Sequence, residues 1–316
     1  MILRRMILGL ATVATVSLWG IGEARAETST TFVPGDPGVR ATGMGGAFSA
    51  VGGEPIALYW NPATLFYQTH RSVEASYSDM YGLGIARRTY LTLGLKSIIE
   101  RPRTEGDRIV VEQDNRSGTA YSLGIQSLFL DLEENGYSEL SIGGAAAWGY
   151  GDRLAVGLAT HLLFITSDLD QVSAFGYNLG LGIAYHHATN ARIGISVPRL
   201  LSRVFWDFDS TERLPFSVLL GWTRTLFGRV VLAADLEFRE EVSGPYRVAG
   251  GGEWWLVQDR VAIRAGYRHI SAGIEDINAP SFGAAFRISS LRFDYAYRME
   301  PDVLGDTHRL GIMVGF

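Results

Sequence analysis

Arginines and carboxylates in the C-terminal third of the chain are the residues whose types and spacing could do chemistry. They alternate with apolar residues in extended stretches: Asp235, Glu237, Arg264, Arg268, Arg287, Arg292, Asp294, Arg298 and Arg309. Arginine binds carboxylates through two parallel hydrogen bonds. Two interpretations are open. The charges form an internal network of salt bridges, or some of the arginines hold the carboxylate of a ligand such as a fatty acid.

Other chemistry is poorly supported by the sequence. His186 and His187 are adjacent, and neighbouring residues of an extended chain point to opposite faces, so they make a poor metal chelate. No HExxH, G-x-S-x-G or Walker motif is present. We therefore predict that the protein is not an enzyme and has no catalytic residue, cofactor or metal. An outer-membrane lipid-modifying enzyme is a distant alternative. The net charge of −5 argues against nucleic acid as a partner.

The elements that must position these charges have the period of β-strands. Between Ser290 and Arg298, the residues Leu291, Phe293, Tyr295 and Tyr297 fall on one face and the charged residues on the other. Such alternation is typical of a barrel strand with a lipid face and a lumen face, although a soluble sheet gives a similar pattern. No stretch after residue 26 approaches 18 apolar residues. A chain that crosses a membrane without helices must form a closed barrel.

Turn lengths favour the membrane barrel over the soluble sheet. Short turns, such as Phe227-Gly228 and Ser289-Ser290, alternate with longer polar segments, such as 198–213 and 270–280. Outer-membrane barrels have short periplasmic turns and longer external loops. We predict eleven strands from Ser138 onward. Strands over 70–78, 82–88 and 90–99 bring the count to about fourteen, with 100–137 as one large outer excursion.

Both ends of the chain indicate export. Arg4 and Arg5, the apolar stretch 6–21 and Ala24-Arg25-Ala26 predict a signal peptide over residues 1–26, cleaved after Ala26. The chain has 0 cysteines, so disulfides do not hold the exported protein together. The last strand is similar to the C-terminal insertion signal of outer-membrane barrels, and its outward residues would be Leu310, Ile312, Val314 and Phe316.

Residues 32–69 do not have a strand pattern, and we call residues 27–69 the hatch segment. Two motifs stand out in it: Gly43-Met44-Gly45-Gly46-Ala47, which is rich in glycine, and Ala57-Leu58-Tyr59-Trp60-Asn61-Pro62-Ala63. They resemble the N-terminal signature of the FadL-like outer-membrane family, which includes transporters of fatty acids and hydrophobic compounds and the PorV/PorQ-type proteins. The chain departs from that signature at Gly52-Gly53-Glu54, where an acidic pair is common, and at Thr64, where glycine is usual.

The resemblance implies an all-β architecture: a fourteen-stranded transmembrane barrel over residues 70–316, closed by a hatch around Gly43, Met44, Gly45, Gly46, Asn61, Pro62 and Ala63. It also implies an outer-membrane location, contact with outer-membrane lipid, insertion by the barrel-assembly machinery and a hydrophobic small-molecule ligand. Two functions follow as alternatives: passage of fatty acids or hydrocarbons, or a PorV-like docking or secretion role without transport. Whether the hatch moves or is a fixed plug stays open.

Overall fold

The computed structural model describes residues 36–316 apart from 106–107, 133–134, 152, 169–171, 209, 241–243, 258–259, 272–275 and 301–304. Within 98–117 and 132–135 only the backbone is described. The predicted signal peptide and the first residues of the hatch segment, 27–35, lie outside this range.

Antiparallel strands close into a barrel. Each strand from β1 to β7 pairs with the next, β7 pairs with β9, each strand from β9 to β15 pairs with the next, and β15 pairs with β1, so the strands form a closed ring. The sheet has fifteen strands, and the two-residue β8 pairs only with β7, which leaves fourteen that form the wall. The strands are β1 Ser72–Met80, β2 Ala86–Glu105, β3 Arg108–Leu132, β4 Asn135–Tyr150, β5 Leu154–Ser167, β6 Ser173–Ala188, β7 Ala191–Trp206, β8 Thr211–Glu212, β9 Ser217–Leu226, β10 Val230–Arg239, β11 Pro245–Leu256, β12 Val261–Ser271, β13 Asp276–Ile288, β14 Leu291–Arg298 and β15 Thr307–Gly315.

The alternating sequence decides which side chains face outward. In β15 and the residue that follows it, Leu310, Ile312, Val314 and Phe316 are 60%, 45%, 40% and 64% exposed, whereas Arg309 is 2% exposed. Apolar residues thus cover the outside of the wall and charged ones line the inside, the reverse of a soluble barrel. No helix among the described residues is long and apolar enough to span a bilayer.

The predicted strands between residues 82 and 137 are wrong, although the total of fourteen is right. Residues 86–105 form one strand, and 118–129, expected within an outer excursion, belong to β3. We call the end where Ser72 and Gly315 lie the terminal end, and the opposite end the loop end. The pairing of Ile99 with Asp114 through Glu105 with Arg108 extends β2 and β3 at the terminal end, beyond the last residues paired with β1 and β4. The excursion is therefore on the opposite side from the one predicted.

Residues 36–69 of the hatch segment pack inside the barrel. They form a short helix, α1 (Val39–Gly43), and two 3₁₀ turns, Pro55–Tyr59 and Pro62–Tyr67. Each 3₁₀ turn begins with proline, whose fixed φ suits a first helical position and whose missing N–H costs no bond there. Asn61 caps the second turn, because its side chain accepts a hydrogen bond from the N–H of Ala63.

Candidate functional site

Glycines and alanines of the wall allow the hatch to approach the strands closely. A Cβ added to Gly157 would lie 2.3 Å from the backbone nitrogen of Ala63, and one added to Gly266 would lie 2.1 Å from the nitrogen of Gly45. In the hydrophobic cluster around the hatch, the wall contributes mainly alanines. Within the described part of the chain, Leu219 is the only large aliphatic wall residue that is buried in this cluster. The lumen is therefore packed to near contact at the level of the hatch.

Asn61 is fully buried and makes three hydrogen bonds, two within the hatch and one to the wall. Its Nδ2 donates to the carbonyl oxygens of Ser49 at 2.9 Å and Ile183 at 3.2 Å, and its Oδ1 accepts from the N–H of Ala63 at 3.1 Å. Gly182 leaves the space for the amide, since a Cβ there would lie 2.0 Å from Oδ1. Asn61 thus joins two parts of the hatch to strand β6.

The glycines of the first motif contribute backbone geometry. Gly45 and Gly46 have φ of 69° and 80°, a region that favours glycine. The N–H of Gly45 donates to the hydroxyl of Ser281, and the carbonyl of Gly46 accepts from Arg247 at 2.9 Å. Met44 is fully buried in the hydrophobic cluster.

Most of the predicted lumen charges lie in a salt-bridge network that has two separate parts, one around Glu253 and one around Asp36, and hatch residues belong to both. Arg264 donates to Glu253 at 2.7 Å and to Asp294 at 2.7 Å, and Arg292 donates to Asp294 and Glu54 at 2.6 Å each. Arg40 of the hatch also pairs with Glu253, at 2.6 Å. Four arginines surround Asp36: Arg298 at 2.8 Å, Arg247 at 3.8 Å, Arg268 in close contact, and Arg309 bonded to its carbonyl oxygen.

Hatch carboxylates stay ionised in this setting. Burial alone would raise the pKa of Glu54, but Arg292 and Arg40 outweigh it and lower that pKa to about 2. Burial likewise opposes ionisation of Asp36, and Arg268 and Arg298 hold its pKa well below the usual range. Charge pairing therefore holds the hatch on the β11–β15 side of the lumen. Arg40, Glu54 and Asp36 were not predicted as members of the network, because nothing in the sequence places the hatch beside particular strands.

Asp235, Glu237 and Arg287, the remaining predicted charges, make three different kinds of contact. Asp235 accepts hydrogen bonds from the backbone N–H groups of Phe48 at 3.0 Å and Ser49 at 2.9 Å, and it forms no ion pair within the described part of the chain. Glu237 pairs with Arg247 at 3.1 Å near the loop end. Arg287 does not contact a carboxylate among the described residues but stacks on the ring of Trp255 at 4.4 Å.

The opposite side of the lumen contains an apolar cluster. Leu163, Ile165, Ala174, Val204 and Leu214 form a second buried cluster on β5, β6, β7 and the segment before β9, and we call it the apolar compartment. A cavity of about 50 Å³ lies between this compartment and the hatch side chains Leu58, Tyr59 and Trp60.

A wider cavity opens toward the loop end. It measures about 350 Å³ and is lined by aromatic side chains of the hatch and by arginines of the network. The two cavities share Tyr59, Trp60, Pro198 and Arg199, which form the partition between them.

The wall is interrupted beside the apolar compartment. β7 pairs with β9 only from Ala191 to Ser196, although β7 continues to Trp206. Pro198 has no N–H to donate, which ends regular pairing in the middle of a strand. Side chains close the gap instead: Arg199 donates to the carbonyl of Pro215 at 2.8 Å, and Ser202 Oγ accepts from the N–H of Leu214 at 3.0 Å.

Several solved structures share this barrel fold. A FadL homologue of Pseudomonas aeruginosa aligns with a TM-score of 0.61 and 13% identity over 89% of this chain and 98% of its own. The chain has the FadL-like barrel fold. The toluene transporter TbuX of Ralstonia pickettii gives 0.57 and 13% over 88% and 98%, and the toluene transporter TodX of Pseudomonas putida 0.53 and 12% over 89% and 96%. No protein-family model matches the sequence, and no curated protein matches it either.

Proposed function

We propose that this protein is an outer-membrane channel for hydrophobic small molecules such as fatty acids or hydrocarbons. The observation that carries the proposal is the apolar compartment next to an interrupted wall, within a fold that it shares with two toluene transporters. In this proposal the signal peptide is cleaved after Ala26 and the barrel-assembly machinery inserts the barrel. The outward apolar residues of β15, up to Phe316, contact lipid, and the terminal end faces the periplasm.

The geometry supports a route with two stages. The cavity at the loop end, about 350 Å³, is within the size range of small-molecule sites, whereas the inner cavity, about 50 Å³, is below it. A ligand would first bind above Tyr59 and Trp60, and movement of this partition would admit it to the apolar compartment. The β7–β9 gap is the place where it would leave for the bilayer, because side chains, not β7–β9 backbone pairs, close the wall between Ser196 and the β7–β8 pairs that start at Val204.

Photo-cross-linking tests this route. Purified protein is irradiated with an alkylbenzene that carries a diazirine, and the labelled peptides are identified by mass spectrometry. We expect labels at Leu163, Val204 and Leu214, and we expect Ala174→Trp, which fills the compartment, to remove them. Ala265→Trp is the matched control, since Ala265 faces outward. Labels confined to outward residues, or unchanged by Ala174→Trp, would overturn the proposal.

A docking role without transport is the second candidate, and the extended β2–β3 hairpin favours it. Beyond Gly94 and Gly118, β2 and β3 pair with each other but with no other strand among the described residues, so the hairpin presents two free backbone edges at the terminal end. Free edges can pair with a strand from another protein. Cross-linking in cells, comparing the full chain with a variant lacking 99–114, would identify such a partner. A partner lost with the hairpin, together with unchanged hydrocarbon uptake by cells, favours docking.

A further inference from the structure

A cleft at the terminal end contains cations that no acid of its described lining neutralises. It measures about 630 Å³ and lies below the second 3₁₀ turn of the hatch, on the other side of the hatch from the apolar compartment. Its lining includes the cationic side chains Lys96 and Arg192, the imidazole of His186, and the rings of Phe66 and Phe227. None of the described lining residues is Asp or Glu.

Aromatic rings hold these cations. The guanidinium of Arg192 lies 4.4 Å from the centre of the Tyr67 ring, and the ammonium of Lys96 lies 5.2 Å from the centre of the Phe66 ring. The His186 ring stacks on Tyr67 with 4.6 Å between ring centres. Cation–π contact fixes the position of a cation without neutralising its charge, so the cations can still attract an anion.

Among the described residues, the Arg192 guanidinium donates one hydrogen bond. One terminal nitrogen donates to the carbonyl of Val51 at 2.7 Å, and no ion pair within the described residues involves Arg192. A guanidinium has five N–H donors, which leaves a pair for a carboxylate. The contrast with the network around Asp36 and Glu253, where arginines are matched with acids, indicates that the charge at the cleft serves a different purpose.

We infer that this cleft binds small organic carboxylates with an apolar body, from the side of the terminal end. The carboxylate would contact Arg192 and Lys96, and the body would contact Phe66 and Phe227. The volume exceeds that of a single inorganic ion and falls in the range of small-molecule sites. Since the hatch separates this cleft from the apolar compartment, the inference does not depend on the proposed channel.

The test measures binding of 4-fluorobenzoate and of its neutral counterpart, 4-fluorobenzyl alcohol, to the full-length protein in a neutral detergent by ¹⁹F NMR. We expect the carboxylate to bind at least tenfold more tightly than the alcohol, and Arg192→Gln and Lys96→Gln each to weaken its binding at least fivefold. Lys96→Gln guards against misfolding, because the Lys96 ammonium makes only a ring contact among the described residues.

Arg287→Gln is the matched control, because Arg287 also stacks on an aromatic ring at 4.4 Å and lines a different cleft at the same end. Equal binding of acid and alcohol, equal effects of Arg192→Gln and Arg287→Gln, or equally tight competition by inorganic phosphate would each overturn the inference. If the protein fails to support hydrocarbon uptake by cells but still binds the carboxylate, only the proposed channel is contradicted. If Arg192→Gln weakens carboxylate binding but leaves hydrocarbon uptake unchanged, the cleft and the channel act separately.

Discussion

Replacing Asn61 with alanine should release the hatch without unfolding the barrel. The substitution removes three hydrogen bonds and strands the carbonyls of Ser49 and Ile183 and the N–H of Ala63 in a buried interface. At about 1 kcal/mol for each bond, an opening that separates residues 61–68 from both β6 and the rest of the hatch becomes easier by about 3 kcal/mol, and the unmade buried groups make this a lower bound. Since about 1.4 kcal/mol is a factor of ten, the undocked population should rise about 150-fold.

Hydrogen exchange measures this population directly. In Asn61→Ala, the amides of residues 63–68 should exchange roughly 100-fold faster, while those of β12 keep their wild-type rates, because local opening and global unfolding are separate events. Asn190→Ala is the matched control, since the side chain of the exposed Asn190 makes one hydrogen bond among the described residues, to the carbonyl of Thr225 at 3.1 Å. Exchange in the hatch no faster than in Asn190→Ala would refute the account of Asn61, and equal acceleration in β12 would show that the hatch and barrel open together.

Three further predictions concern the same interface. Gly182→Val should accelerate hatch exchange at least as much as Asn61→Ala, whereas Gly144→Ala should not, because a Cβ at Gly144 lies 3.5 Å from its nearest neighbour; equal effects would contradict the close packing. Asp36→Asn should destabilise the docked hatch by about 3–5 kcal/mol, because it leaves buried arginines without a carboxylate partner. Protease cleavage of the hatch at increasing denaturant concentration measures this loss, and a loss below about 1 kcal/mol would contradict the role of the network in docking. The pKa of Glu54 is lowered to about 2, so its contribution to the stability of the docked hatch is complete above the ordinary pKa of 4.5 and is lost as pH falls from 4.5 to 2. Hydrogen exchange in the hatch should become faster over this pH range. The same pH response in Glu54→Gln would show that Glu54 is not its cause.

The alternation of side chains made the barrel predictable, since each inward or outward position depends only on local period. Arg264, Arg298 and Arg309 are buried in the lumen, and Phe316 is exposed, as the alternation indicates. The boundaries between 82 and 137 were not predictable in the same way. Gly118, at φ 157°, lies at a bulge where the register shifts, and the sequence gives no sign that pairing resumes at Asp114.

The contacts between the hatch and the wall depend on packing between residues far apart in the chain. Arg40 contacts Glu253, a separation of 213 residues, and no local pattern specifies that pair. The terminal-end cleft is similar, because Lys96 and Arg192 belong to strands that are not neighbours and meet only across the lumen. The sequence offers one indication of the cleft, which is that Lys96 is the only lysine of the chain.

Uptake of radiolabelled toluene by cells tests the central claim most directly. Cells that produce the wild-type protein, Ala174→Trp or Ala265→Trp at equal levels in the outer membrane are compared with cells that lack the protein. We predict that wild type and Ala265→Trp accelerate uptake several-fold over cells without the protein, and that Ala174→Trp abolishes most of this gain. Uptake by wild-type cells equal to that of cells without the protein, or unchanged by Ala174→Trp, would contradict passage through the apolar compartment.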